Sequence, residues 1–159
     1  MSSEINPIDT IEDLIHSQDW PYHRVSADVL NCEIAGRWCD YRLNFIWHEE
    51  SRVMQIFLLY DMSLPPAKKV PVATLMGLLN GQLHMGNFET YTAENCPAFR
   101  HGLLLPGTRT LLEALMVEII EYALDMSEKY YPAFHFVLNG DRAPEEAASM
   151  AMVDTVGEA

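Results

Sequence analysis

The feature that most constrains this sequence is a period of two in hydrophobicity that runs from position 30 to position 60. Alternating apolar and polar residues are typical of strands with one buried face. Turn-forming segments at 36–37 and 48–51 divide the run into three strands, each of which can pair with the next. We therefore predict an antiparallel three-stranded meander. Its buried face comprises Leu30, Cys32, Ile34, Cys39, Tyr41, Leu43, Phe45, Met54, Ile56, Leu58 and Tyr60.

The two turns also set the expected register of this meander. With tight turns, Cys32 is expected opposite Tyr41, and Leu43 is expected opposite Ile56. A slip of one residue would turn polar side chains such as Arg42 toward the core, so the pattern itself selects this pairing.

The opposite face of the predicted meander is more apolar than a water-exposed face requires. Either the N-terminal segment or the C-terminal tail covers part of it, or the face binds a partner, since contiguous exposed apolar area marks such sites. Its apolar members are Trp38, Ile46, Val53, Phe57 and Leu59, which alternate with Glu33, Asp40, Arg42, Asn44 and Gln55.

Two helices are predicted to flank the meander. The first opens at Asn6 and Pro7, because asparagine is a good N-cap and proline suits the first helical turn, and it ends near His16. The second follows Pro71. Its apolar residues fall on one narrow stripe at 100° per residue, namely Val72, Leu75, Met76, Leu79 and Leu83.

A hairpin is expected directly after the second helix. Gly86 is a natural left-handed residue after a helix C-terminus, and segments 88–92 and 98–105 have strand composition. The expected cross-strand partners are Phe88 with His101, Thr90 with Phe99, and Glu89 with Arg100.

A long helix is predicted from Thr110, which opens a capping box with Glu113, to Tyr131, where Pro132 ends it. Its apolar arc spans about 220°, well beyond the ~100° stripe of a one-sided surface helix. Either the C-terminal segment from Phe134 onward or a second copy in a symmetric homodimer must cover the second stripe. That stripe comprises Val117, Ile120, Leu124 and Tyr131.

The charge balance argues against two classes of partner. The chain of 159 residues has 23 acidic and 10 basic residues and a formal net charge of -13. Its potential repels phosphate backbones and anionic headgroups, so we expect no nucleic-acid and no membrane partner. We also expect a cytoplasmic protein, because the N-terminus has no secretory signal pattern and no apolar run approaches ~18 residues.

The cysteines indicate no disulfide framework. Cys32, Cys39 and Cys96 form neither a C-x-x-C pair nor an even set, which fits a reducing compartment and small buried hydrophobes. We predict no disulfide, no metal and no cofactor.

The sequence has no recognisable catalytic motif, so we predict a protein without enzymatic activity. Gly77, Gly81 and Gly86 are not spaced as in a phosphate-binding loop, and the segment 48–50 lacks the second histidine of a zinc helix. His101 is expected on the core face, where a satisfied core histidine is a simpler interpretation than a base or ligand. The acids of the long helix are most simply its water-facing side: Glu118, Glu121, Asp125 and Glu128.

The order of elements resembles that of the YbjN family of small bacterial proteins. The resemblance is carried by 78–88 (LLNGQLHMGNF), 99–103 (FRHGL), and 131–137 (YPAFHFV) with 144–147 (PEEA). It implies a sensory transduction regulator, no enzyme, and no catalytic residues. It also implies a fold similar to that of type III secretion chaperones, which are small, acidic, dimeric proteins that hold an effector segment in extended form.

These observations predict an α+β fold in which an antiparallel sheet, a meander plus a hairpin, packs against helices in the order α-β-β-β-α-β-β-α. We expect a single domain over 1–159, with 139–159 as a C-terminal helical tail. The expected function is a protein-binding regulator or chaperone-like module with an unknown protein partner. The predicted binding residues are Trp38, Ile46, Val53, Phe57, Leu59, Val117, Ile120 and Leu124.

An alternative function is a small-molecule-binding domain or small enzyme whose site leaves no linear motif. A pocket with convergent polar groups around His101 would favour this alternative. An apolar groove or a dimer face would favour protein binding.

Overall fold

A computed structural model describes the backbone of residues 6–106 and 113–156 and the side chains up to residue 152. Its strands are β1 (Tyr22–Ser26), β2 (Val29–Ala35), β3 (Asp40–His48), β4 (Val53–Leu59), β5 (Asn87–Tyr91) and β6 (Cys96–Leu104). Its helices are α1 (Pro7–Ser17), α2 (Lys69–Asn80), α3 (Glu113–Leu138) and α4 (Pro144–Val156), and a 3₁₀ turn, Pro66–Lys68, precedes α2.

Within the described residues, the strands form one antiparallel sheet in the order β1-β2-β3-β4-β6-β5. One face of this sheet packs against residues of all four helices and forms the main core. The predicted α+β class is confirmed. The strand β1 was not predicted, and it adds an edge strand before the meander.

The predicted core face is confirmed. Every member is buried except Cys39, which is half-buried. The predicted stripe of α2 is likewise buried, with Leu83 partly buried beyond the helix end. Asn6 caps α1 as predicted, because its Oδ1 accepts a hydrogen bond from the main-chain N–H of Ile8 at 2.9 Å.

The strand pairings differ from the prediction by two residues. Cys32 lies opposite Leu43 instead of Tyr41, and the β3–β4 pairs are shifted in the same sense. The cause is turn length, since the turns at 36–39 and 49–52 each contain four residues. A shift of two residues keeps the parity of the alternation, so the same side chains stay on the core face.

The β5–β6 hairpin is also shifted by two residues. Phe88 lies opposite Phe99 rather than His101, which still occupies the core face of β6. Glu89 and Arg100 are not directly opposite, yet they form an ion pair of 3.2 Å between Oε2 and Nη1. Such an exposed pair contributes at most ~1 kcal/mol.

The prediction that Pro132 ends the long helix is wrong, since α3 continues through it to Leu138. Proline has no N–H, so the carbonyl oxygen of Glu128, four residues earlier, loses its helical donor. The indole N–H of Trp38 donates to that oxygen instead, at 3.1 Å. The predicted start at Thr110 and its capping box lie outside the described residues.

The second apolar stripe of α3 is buried or half-buried within the chain. Ile120 is 2% exposed, and Val117 and Leu124 are half-buried against the main core. The segment from Phe134 to Leu138 cannot fold back over the stripe, because it belongs to α3 itself. Instead, α1, α2 and α4 pack against α3. The homodimer stays a prediction, but this stripe does not require it.

Candidate functional site

The candidate site lies on the face of the sheet opposite the four helices, called the open face below. Cross-strand partners arrange its side chains in rows that run from β1 toward β4. Two of these rows change from polar to apolar along this direction. One row contains His23, Asn31, Asn44 and Phe57, and the next contains Glu33, Arg42 and Leu59.

The polar half of the open face contains a groove of about 350 Å³. Strands β2 and β3 form its floor, β1 forms one wall, and the turn between β5 and β6 reaches its other side. This volume is at the small end of the range for ligand pockets. The polar lining comprises His23, Asn31, Glu33, Arg42, Asn44 and Glu94.

Two contacts tie the β5–β6 hairpin to the floor of the groove. Arg42 Nη1 lies 2.6 Å from Oε1 of Glu94, and both side chains are about 40% exposed. Asn44 Nδ2 donates to the hydroxyl of Tyr91 at 3.3 Å. Because Arg42 and Glu94 neutralise each other, Glu33 is the remaining carboxylate on the floor.

In the part of the chain that the structure describes, side chains of the β5–β6 hairpin cover the apolar half of the open face, and neither the N-terminal segment nor the tail does so. The ring of Tyr91 lies 5.2 Å from that of Phe57, and the Arg100 guanidinium lies 5.6 Å from the same ring. Phe57 and Leu59 are 7% and 0% exposed in a second small cluster. These two predicted binding residues therefore present little free surface.

The remaining predicted binding residues of the sheet are separated by the structure. Ile46 and Val53 are half-buried on the open face, away from the groove lining. Trp38 is not on this face, because the four-residue turn at 36–39 takes it out of the strand. Its ring is 44% exposed and stacks on Tyr131, with centroids 6.1 Å apart and planes 3° apart.

The sequence pattern places Glu128 on the water-facing side of α3. In the structure, its carboxylate instead contacts the β2–β3 turn. Its Oε1 accepts the main-chain N–H of Arg37 at 2.5 Å, and its Oε2 accepts the hydroxyl of Tyr41 at 2.8 Å. Burial, assisted by this hydrogen bond, raises the pKa of Tyr41. The neutral phenol thus remains a donor to the carboxylate.

The groove contains neither His101 nor an activated thiol. Burial lowers the pKa of His101, so its ring is neutral at pH 7. Burial raises the pKa of Cys32 and Cys39 to about 12 and that of Cys96 to about 11, which leaves all three as weakly nucleophilic thiols.

The described residues offer neither a metal site nor a membrane-spanning helix. Over 6–106 and 113–156, no group of three or more His, Cys, Asp or Glu side chains could hold a metal ion. No helix in the same ranges is both long and apolar enough to cross a membrane.

The family assignment agrees with this architecture. The model of the family described as "YbjN: Putative bacterial sensory transduction regulator" matches residues 7–136. The chain belongs to the YbjN family. The matched region includes the whole sheet, α1, α2 and most of α3. It therefore contains every residue that lines the groove.

The fold of this YbjN-family chain is similar to that of a solved structure over most of the chain's length. That structure is the crystal structure of YbjN from E. coli, described as "a putative transcription regulator", with a TM-score of 0.57 and 10% sequence identity. The match covers 79% of this chain and 90% of that chain. At this identity the similarity establishes the fold alone. No curated protein sequence matches the chain.

Sequence reasoning identified part of the groove. Glu33, Arg42 and Asn44 were visible as polar members of a mixed face, because they alternate with core residues. His23 and Glu94 were not, since their positions depend on β1 and on the fold of the β5–β6 turn. The local signal for β1 is the turn at 27–28, which directly precedes the apolar start of β2 and is typical of a hairpin.

Proposed function

We propose that this protein is a non-enzymatic regulator that acts by binding another protein through the groove on the open face. The observation that carries the proposal is a sheet whose helices all pack on one side, which leaves a polar groove on the other. The regulatory descriptions of the family and of the similar E. coli protein support this class of function. A chaperone-like role is one form of it.

Regulation by direct contact with DNA is less consistent with the charges. The net charge of -13 repels a phosphate backbone. Within the described residues, five basic residues form ion pairs with acids of the same chain, which lowers their availability for phosphates. These are Arg24, Arg42, Lys68, Arg100 and Arg142.

A second candidate function is the binding of a small polar ligand in the same groove. Its size and its convergent amide, carboxylate and guanidinium groups are the observations that favour this function. Native mass spectrometry of freshly purified protein would detect such a ligand as an added mass.

Site-specific photo-crosslinking in the source bacterium tests protein binding. A photoreactive residue at His23 or Asn31 should crosslink a discrete partner protein, because both positions line the groove. The matched control is Asp125, an exposed position on α3 on the other side of the sheet. Crosslinks that are absent at all positions, or equally frequent at Asp125, would contradict the proposal.

A further inference from the structure

We propose that the partner binds as an extended segment that adds a strand to the free edge of β1 and places a basic side chain against Glu33. This inference rests on the proposed protein-binding function and specifies the kind of partner. It follows from the two sheet edges, from the hydrogen-bond pattern of β1, and from the charge of the groove.

The edge at β5 is closed to an additional strand. Asn80, at the end of α2, occupies the position that a neighbouring peptide group would take. The main-chain N–H of Phe88 donates to Asn80 Oδ1 at 2.6 Å, and Asn80 Nδ2 donates to the main-chain oxygen of Phe88 at 3.1 Å. A strand arriving at this edge would have to displace both hydrogen bonds and the adjacent α2.

Among the described residues, no strand pairs with the outer edge of β1. The N–H of Glu33 donates to the oxygen of Pro21 at 3.0 Å, which identifies Pro21 and Glu33 as a hydrogen-bonded pair. Such pairs alternate in antiparallel sheets, so the next one joins His23 to Asn31. The main-chain groups of Tyr22 and Arg24 therefore point away from β2, toward the free edge. An extended peptide can bind such an edge by strand addition.

The groove lies where side chains of an added strand would project. Strands are spaced about 4.8 Å apart, which puts the backbone at Glu33 about 10 Å from an added strand. Only Pro21, with its short ring, stands between them in that row. A lysine or arginine of the added strand can extend across this position toward the carboxylate.

Charge favours a basic partner at this position. Glu33 is exposed, and its cross-strand neighbour Arg42 is engaged by Glu94. The net charge of -13 attracts cationic segments and repels anionic ones. Glu33 thus selects a basic side chain of the partner, and the outward main-chain groups of β1 bind the partner's backbone.

Decapeptides selected from a random display library on the wild-type protein are the probe for strand addition. Each selected peptide is resynthesised in two forms, one with N-methyl groups on the odd-numbered residues and one with N-methyl groups on the even-numbered residues. Alternate N–H groups of a strand point to opposite sides, so one of these two methylation phases removes the donors that face β1. We expect binding to be weakened at least about tenfold for one phase and little changed for the other, since each lost main-chain hydrogen bond weakens binding by roughly tenfold and one phase can remove more than one. This arm leaves the protein unaltered.

Protein variants provide a second arm. Tyr22→Pro removes the outward N–H, whereas Tyr22→Ala removes the side chain and keeps that N–H. We expect about tenfold weaker peptide binding for Tyr22→Pro than for Tyr22→Ala. Equal affinities of the two folded variants, together with equal effects of the two methylation phases, would overturn strand addition.

A charge exchange tests the role of Glu33. Glu33→Lys should weaken binding of a selected lysine-containing peptide at least tenfold. Replacement of that lysine by glutamate in the peptide should restore the affinity for the variant. Failure of every such exchange would overturn the assignment of Glu33.

The outcomes separate this inference from the proposed function. If a partner crosslinks at His23 in cells but no selected peptide depends on the β1 edge, strand addition is wrong and protein binding stands. If neither a partner nor a peptide binds, both are wrong.

Discussion

A β-carbon on Gly86 would overlap the ring of Phe99, the residue directly opposite the first core residue of β5. The same atom would lie 2.7 Å from the carbonyl oxygen of Arg100. Gly86 also has a φ of +73°, which residues with a side chain rarely adopt. This glycine therefore allows the chain to pass from α2 into β5 against the aromatic core.

Gly86→Ala should lower the free energy of unfolding by about 2 to 4 kcal/mol, because backbone strain adds to overpacking. Gly77→Ala is the matched control, since Gly77 lies inside α2 and the added carbon would have no atom within 4 Å apart from its chain neighbours and the backbone of its own helix. That change should raise the free energy of unfolding by about 0.5 to 1 kcal/mol. Urea denaturation measures both, and similar effects of the two substitutions would contradict the argument.

Trp38 and Pro132 form a second testable pair through Glu128. Trp38→Phe keeps an aromatic ring for stacking but removes the donor to the Glu128 carbonyl. It should lower the free energy of unfolding by about 1 kcal/mol. In a Pro132→Ala background the helix regains its own N–H at position 132, so the same change should cost less. A double-mutant cycle by urea denaturation measures the difference. Equal costs in both backgrounds would show that the hydrogen bond is unimportant.

The assignment of residues to the two sheet faces was predictable, but the register was not. Alternation decides which side chains point inward, and a shift of two residues leaves that decision intact. The register depends on the turns. The first turn is closed by a hydrogen bond from the N–H of Gly36 to the oxygen of Cys39, and the second contains Arg52 in a left-handed conformation with φ of +59°. Neither feature has a clear signal in the sequence. The same limit applies to Pro132, which a helix tolerates here because a residue distant in sequence replaces the lost donor.

The candidate site was less predictable than the core, for a related reason. Glu33 and Arg42 are visible as polar positions on alternating strands. The groove also needs β1 and Glu94, which pack against them only after the sheet has formed. Polar side chains carry no periodic signal that reports such tertiary neighbours.

The contact between Asn80 and Phe88 predicts how β5 is protected. Asn80→Ala should lower the free energy of unfolding by about 1 to 3 kcal/mol, because two main-chain groups of Phe88 lose their partners. It should also speed hydrogen exchange of the Phe88 amide. Asn87→Ala is the control, since that neighbouring amide makes one long hydrogen bond of 3.4 Å to Phe88. If the two variants showed equal protection at Phe88, Asn80 would not be the group that closes this edge.

His101 should make the stability of the fold depend on pH. Burial holds its pKa below the ordinary value of about 6.5, which applies in the unfolded chain. Below that pH the unfolded state binds more protons than the folded state, so the free energy of unfolding falls as the pH falls. Above it both states are neutral, and His101 adds no pH dependence. Urea denaturation at pH 7.5 and pH 5.5 should therefore show a smaller loss of stability in His101→Gln than in the wild type. The exposed histidines contribute equally to both proteins and cancel in the comparison, so identical losses would mean that His101 titrates normally in the folded chain.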